Sequence, residues 1–214
     1  MMYFDNVVVR NPSLAPLYPA FLQALELLEN CIRAGGKIIV CGNGGSAADA
    51  EHIVGELMKA FLLPRPLTEK QRNSILQAAG NDAICLADSL QQAIPAISLT
   101  SGVSLPTAFA NDVNPEYIFA QQVLGLGKPG DVLCGISTSG NSPNILHALK
   151  VARAFGLGTV CLTGKDGGKA ASLCDVELRA PAAETPIIQE LHLPIYHALC
   201  ADLEQRFFGN KESL

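Results

Sequence analysis

The segment Gly135-Ile136-Ser137-Thr138-Ser139-Gly140-Asn141-Ser142-Pro143 places the hydroxyls of Ser137, Thr138, Ser139 and Ser142 on one turn, whose glycine lets backbone approach a ligand closely. The turn leaves an apolar run and enters a helix with Pro143 in its first turn, so backbone N–H groups and the positive end of a helix dipole add further donors. Such a turn can satisfy a phosphoryl dianion without lysine or arginine. Gly42-Asn43-Gly44-Gly45-Ser46 repeats the device after another apolar run. It has neither the spacing of a dinucleotide fingerprint nor the Lys-Ser/Thr ending of a P-loop. Together the two loops suggest one pocket gripping a phosphorylated polyol at two points; the plain alternative is a pair of helix-capping loops.

A second set of residues could move protons. His52 and Glu56 lie four apart on the helix expected after the first loop and so share a face. Gln189, His192 and His197 fall within IIQELHLPIYH near the C-terminus. Imidazoles, a carboxylate and an amide near a sugar-phosphate pocket suit general acid–base catalysis, or the binding of zinc or a similar ion. An i,i+4 His–Glu pair can also be a mere surface contact, and His147 in ILHALK reads as structural. On a straight helix Gln189 and His197 are separated by about 12 Å of rise, with Pro194 between them as a local disturbance. They meet at one ion only if their side chains converge, the helix bends or two subunits contribute.

The elements that must hold these groups alternate. Leu17, Phe21, Leu25, Leu28 and Ile32 mark an amphipathic helix closed by Gly35-Gly36. Strands are expected at 37–41, 96–99, 131–136, 158–162 and 175–178, and further helices at 46–61, 115–125, 143–155 and 187–208. Apolar strands alternating with helices mean a parallel sheet covered on both faces by right-handed crossovers, with ligands beyond the carboxyl ends of its strands. Residues 63–94 interrupt the rhythm as an insertion, with a helix start at Thr68-Glu69, a break at Gly80-Asn81-Asp82 and a short helix at 83–93. Packing or oligomer contact is one role for it, a lid the other.

Composition narrows the class. Of 214 residues, 49% are hydrophobic and only 16% charged, against roughly 25% charged in an average soluble domain, so part of the surface is expected to be covered in an oligomer. A net charge of −5 argues against a nucleic-acid backbone or an anionic membrane as main partner. No run approaches the roughly 18 apolar residues of a membrane span, and the N-terminus lacks a signal-peptide pattern; a soluble, cytoplasmic protein is expected. Seven cysteines form no C-x-x-C and are expected to be small buried hydrophobes rather than disulfides or a zinc site.

GNGGSAADAEH (42–52), Glu56, GDVLCGISTSGNS (130–142), LTGKDGG (162–168) and IQELH (188–192) resemble the sugar isomerase (SIS) domain family, nearest its sedoheptulose 7-phosphate isomerase branch, over residues 17–62 and 95–208. The resemblance implies one SIS domain over 1–214: an α/β three-layer αβα sandwich with a five-stranded parallel sheet, an N-terminal helical segment 1–35, a core 36–208 and the insertion 63–94. It implies a homotetramer with active sites at subunit interfaces. It implies that Ser137, Thr138, Ser139 and Ser142 hold the phosphate, that Asn43, Gly44, Ser46, Asp112 and Gln189 bind the sugar, and that Glu56 and His197 are base and acid. By the same resemblance zinc, one per subunit, would be held by His52, Glu56, Gln189 and His197. The implied reaction is aldose–ketose isomerisation of sedoheptulose 7-phosphate to D-glycero-D-manno-heptose 7-phosphate through an enediol. The chain departs from the family at Pro186, where an aspartate is usual, at Ala60, where an arginine is expected beside Lys59, at Pro194 and in the insertion. Two other readings are an enzyme of the same fold acting on another phosphosugar, and a non-catalytic tetramer binding the replication initiator; Glu56 and His197 speak against the second.

Overall fold

In the computed structural model, which describes residues 2–209, the five apolar runs form strands β1 (Ile38–Gly42), β2 (Ala96–Ser98), β3 (Val132–Ile136), β4 (Gly158–Thr163) and β5 (Val176–Arg179). β1 and β3 are buried at every residue, as unbroken apolar runs must be when helices cover both faces. All pairings are parallel, in the order β2-β1-β3-β4-β5, with Ile38 level with Ala96 on one side and Val132 on the other. The strand order reverses between β1 and β3. The crevice at their carboxyl ends is therefore the topological switch point at which a doubly wound sheet receives ligands, and both hydroxyl-bearing loops leave from it.

The two-residue period of the strands divides the core. Ile38 and Val40 face one apolar cluster, Ile39 and Cys41 the other. The first is closed by α2 (Tyr18–Arg33), α3 (Gly45–Met58) and α9 (Thr185–Phe208), the second by α7 (Ile118–Leu126) and α8 (Pro143–Ala154). α2 buries Phe21, Ala24, Leu25, Leu28 and Cys31 at helical spacing, and Gly35 follows it at φ 82°, a left-handed position that glycine takes without steric cost.

Several boundaries differ from the sequence expectation. Ahead of α2 stand α1 (Tyr3–Arg10) and a 3-10 turn at Pro12–Leu17. The Asp202 carboxylate accepts the first free N–H groups of α1, from Tyr3 at 2.6 Å and Phe4 at 3.2 Å. α3 stops at Met58, three residues early, because the backbone beyond it turns to bond with α9. α6 (Ser104–Asp112) was not expected; it buries no residue and so carries no apolar stripe. Pro115–Tyr117 is a 3-10 turn leading into α7 rather than the start of an α-helix. α9 runs unbroken through Pro194. In the insertion, α4 (Glu69–Ala79) starts at a reciprocal capping box between Thr68 and Gln71. Gly80, at φ 74°, breaks it, and α5 covers only Ile84–Ser89. Cys31, Cys41, Cys134, Cys161 and Cys200 are buried as expected, whereas Cys85 is exposed on α5, whose outer face carries it. Among the described residues no helix is long and apolar enough to cross a membrane.

Candidate active site

At the exit of β3 the backbone folds back at once: Gly140 N–H donates to Ser137 O at 2.9 Å. Gly140 has φ 62°, and a Cβ there would lie 1.9 Å from Gly167 O, so only glycine lets the loop after β4 pack behind the turn. Asn141 locks that contact, accepting Lys169 N–H at 3.1 Å and donating to Ser139 O at 2.9 Å. Ser137 is buried, Thr138, Ser139 and Ser142 half-buried. The Ser137 and Ser142 hydroxyls lie 3.0 Å apart, bonded to each other. Hydroxyls and N–H groups thus gather at the N-terminus of α8.

The loop after β1 meets this turn across the switch point. Asn43 and Asn144 exchange two amide hydrogen bonds of 2.9 and 2.8 Å. Gly44, at φ 56°, turns the chain into α3. Ser46 is buried beneath the loop, and a Cβ at Gly42 would overlap its carbonyl. Gln189 on α9 reaches the same loop: a Cβ at Gly45 would lie 2.6 Å from its Nε2. Asp112 does not join; it ends α6 in solvent, with its carboxylate bonded to neighbouring Asn111.

The acid–base residues gather further along α3. His52 Nε2 is 3.2 Å from Glu56 Oε1, and His52 Nδ1 is 3.1 Å from the Tyr196 hydroxyl, which donates to Asp49 Oδ1 at 3.1 Å. His197 stands edge-on to His52 (ring centroids 4.9 Å) and to Tyr196 (5.1 Å), and its Nε2 is buried without a partner. Burial pushes the Glu56 carboxyl up, but the Lys59 ammonium, donating at 2.8 Å, and His52 outweigh it and hold Glu56 below the usual carboxylate range. Lys59 thus supplies the cation expected at Ala60. Burial, and then the neighbouring His52, lower the pKa of His197 and favour its neutral ring.

His192 proves structural: it is buried, pairs Nε2 with Thr163 O at 2.9 Å, and burial lowers its pKa. His147 packs edge-on to Tyr117, with Glu116 3.8 Å away. Glu56 is 11 residues beyond Gly45, so about 16 Å of helix rise separates it from the first loop.

One group that sequence reading missed holds this cluster. Arg65 and Glu204 form a wholly buried ion pair at 2.7 Å. Glu204 also accepts the N–H groups of Phe61, Leu62 and Leu63, while Arg65 donates to Leu57 O and Glu56 O and lies over the Phe208 ring. The end of α3, and with it Glu56, is thereby clamped to α9. The available signal was a glutamate interrupting an otherwise apolar helix face.

For zinc the donors fit in kind: His52, Glu56 and His197 offer imidazole nitrogen and carboxylate oxygen, and the orphaned His197 Nε2 lacks any other partner. As they stand, His52 and Glu56 are bonded to each other, and among the described residues no three His, Cys, Asp or Glu surround one point closely enough to hold an ion. Gln189 lies at the first loop, two turns from His197.

A family model for the SIS domain matches residues 3–71 and 73–164. The chain belongs to the SIS domain family. It is 41% identical over 184 residues to the phosphoheptose isomerase of Desulfovibrio desulfuricans, covering 86% of this chain and 75% of that one. With the phosphoheptose isomerase of Trichlorobacter lovleyi identity is 38% over 205 residues, covering 96% and 91%. The solved phosphoheptose isomerase of Francisella tularensis superposes with a TM-score of 0.75 at 33% identity, covering 95% of both chains, and that of Neisseria gonorrhoeae with 0.73 at 34%, again over 95% of both. The hydroxyl turn of this SIS domain stands at the switch point, beyond the carboxyl end of β3, where the alternation of strands and helices puts it.

Proposed function

We propose that this chain, a sugar-phosphate isomerase of the phosphoheptose isomerase type, converts sedoheptulose 7-phosphate into D-glycero-D-manno-heptose 7-phosphate. The observation that carries the proposal is the pairing of an uncharged, hydroxyl-lined turn at a helix N-terminus with a separate carboxylate–imidazole cluster. Ser137, Thr138, Ser139 and Ser142 bind the phosphate, and Asn43, Gly44, Ser46 and Gln189 orient the sugar; Asp112 belongs to the set only through a neighbouring chain. Glu56, ionised at neutral pH, takes the proton from C1 and returns it to C2 of the enediol. His197, neutral, gives an N–H proton to O2 and takes one from O1. Each positioned transfer is worth roughly 10² to 10⁴ in rate. Zinc, one per subunit, would be held by His52, Glu56 and His197, with Gln189 joining them only from a neighbouring chain, and would polarise the carbonyl.

The distance along α3 between loop and base supports a site shared between chains of a homotetramer, one supplying the phosphate turn and another the acid–base cluster. The test is NMR of purified protein with sedoheptulose 7-phosphate, with and without zinc. Aldoheptose 7-phosphate should accumulate, and Glu56→Gln and His197→Gln should each abolish it. A wild-type protein that leaves this ketose unchanged in both conditions refutes the substrate assignment. Variants as fast as wild type refute the residue roles.

A further inference from the structure

We propose that the Lys165 ammonium is a further binding group of the phosphate site, supplying the positive charge that the Ser137–Ser142 turn lacks. The inference rests on that turn as the phosphate cradle and adds its counter-charge.

Among the described residues Lys165 is the one non-glycine residue with positive φ, 52°, a conformation that a Cβ disfavours. It is the second residue of a tight turn closed by Gly167 N–H, which donates to Gly164 O at 2.9 Å. Turns with positive φ at that position are dominated by glycine, asparagine and aspartate. The frame imposes the conformation. Lys165 N–H donates to Ala182 O at 2.8 Å, and a Cβ at Gly164 would lie 2.3 Å from Ile188 Cδ1 on α9. Glycine stands at 164, 167 and 168, yet lysine stands at 165, where glycine would relieve the strain. Left-handed non-glycine residues over-determined by their surroundings cluster at ligand clamps.

The same frame sets this lysine beside the cradle. β3 and β4 are neighbours with Ile136 level with Leu162, roughly 4.8 Å apart; Ser139 and Lys165 each stand three residues beyond that pair. The segment after Lys165 is bonded to the hydroxyl turn, Ala170 N–H donating to Gly140 O at 2.9 Å and Lys169 N–H to Asn141 Oδ1 at 3.1 Å. The Lys165 side chain is exposed and enters no ion pair among the described residues. Two carboxylates around the loop are engaged, Asp166 by Gly168 N–H and Glu177 by Thr163 and Arg179. A flexible four-carbon stem lets the ammonium reach over the turn. Hydroxyls and N–H groups pair the phosphoryl oxygens but leave the dianion's charge uncancelled, in a chain whose net charge of −5 repels it.

The test is calorimetry of the full-length protein with sedoheptulose 7-phosphate and with inorganic phosphate, for wild type, Lys165→Gly, Lys165→Met and Lys165→Arg. Loss of the charge in Lys165→Gly and Lys165→Met should weaken binding of both anions about 10-fold, the scale of one hydrogen bond to a charged group. Added salt should weaken the wild type more steeply than either variant, and Lys165→Arg should restore most of the affinity. Lys165→Gly should melt no lower than wild type, because it sheds the strain, so its weaker binding is not a folding defect. Wild-type affinity in Lys165→Gly and Lys165→Met overturns the inference, as does a loss in Lys165→Arg equal to that in Lys165→Met. A wild type that binds both anions through Lys165 but leaves sedoheptulose 7-phosphate unconverted sinks the functional reading and leaves the lysine contact standing.

Discussion

Lys59 donates to Glu56 Oε2 while His52 faces Oε1, and the carboxylate is held ionised against the burial that would neutralise it. Removing the cation lets burial dominate. Lys59→Met should therefore move the acid limb of the kcat/KM profile to higher pH, and a limb that stays in place would show that Lys59 does not set the base. His192 makes an opposite kind of statement. Its folded pKa lies below the ordinary 6.5, so below that value the unfolded chain binds a proton that the folded chain refuses. Stability from this source is complete above 6.5 and is lost as pH falls below it toward the folded pKa. Melting temperature should drop as pH falls below 6.5, and the drop should shrink in His192→Gln; an equal drop in the variant would assign it to other groups. His192 and His197 are equal candidates in the sequence, because spacing on a helix does not say which residue faces Thr163 O and which faces His52. The hydroxyl turn was legible for the reverse reason, since its hydroxyls and its glycine sit in one contiguous segment.

The elements that place these residues depend on a few close contacts. Gly140 combines φ 62° with a Cβ position 1.9 Å from Gly167 O. A left-handed non-glycine residue alone costs about 1–3 kcal/mol, and the overlap adds displacement of the loop behind the turn. Gly140→Ala should weaken phosphosugar binding, measured by calorimetry, far more than it alters helix content; unchanged affinity would remove Ser137–Ser142 from the binding site. The Arg65–Glu204 pair is the second contact. Breaking a buried pair by deleting one partner costs about 3–5 kcal/mol, and Glu204→Ala also strands the Phe61, Leu62 and Leu63 N–H groups. Urea unfolding should show a loss of at least that size, whereas a loss under about 1 kcal/mol would match a surface pair. Strands were readable as apolar runs ending in glycine loops, and α2 as a stripe. α6 was not, having no buried face, and the early end of α3 was not, because its cause, Glu204, lies 143 residues beyond Phe61 in sequence.

For the whole molecule, the parallel sheet and its switch point followed from the alternation of runs, while assembly between chains leaves no periodicity to read. Sixteen per cent charged residues and exposed Val103, Leu105, Val113 and Leu124 suit a surface covered by other copies. If phosphate turn and base come from different chains, two dead variants should complement. Refolding Glu56→Gln with Ser137→Ala/Ser139→Ala in equal amounts should restore up to about a quarter of wild-type activity, because random pairing joins two intact halves at one site in four. Activity that stays at zero would place both halves in a single chain.

Glu204 lies 139 residues beyond Arg65 and anchors the backbone just after Glu56. A nascent polypeptide leaving the ribosome N-terminus first therefore presents Arg65 long before its only buried counter-charge among the described residues has been synthesised. Glu56 acquires its seat only once residue 204 has been added, and a chain cut short before it lacks the carboxylate that holds the Phe61, Leu62 and Leu63 N–H groups.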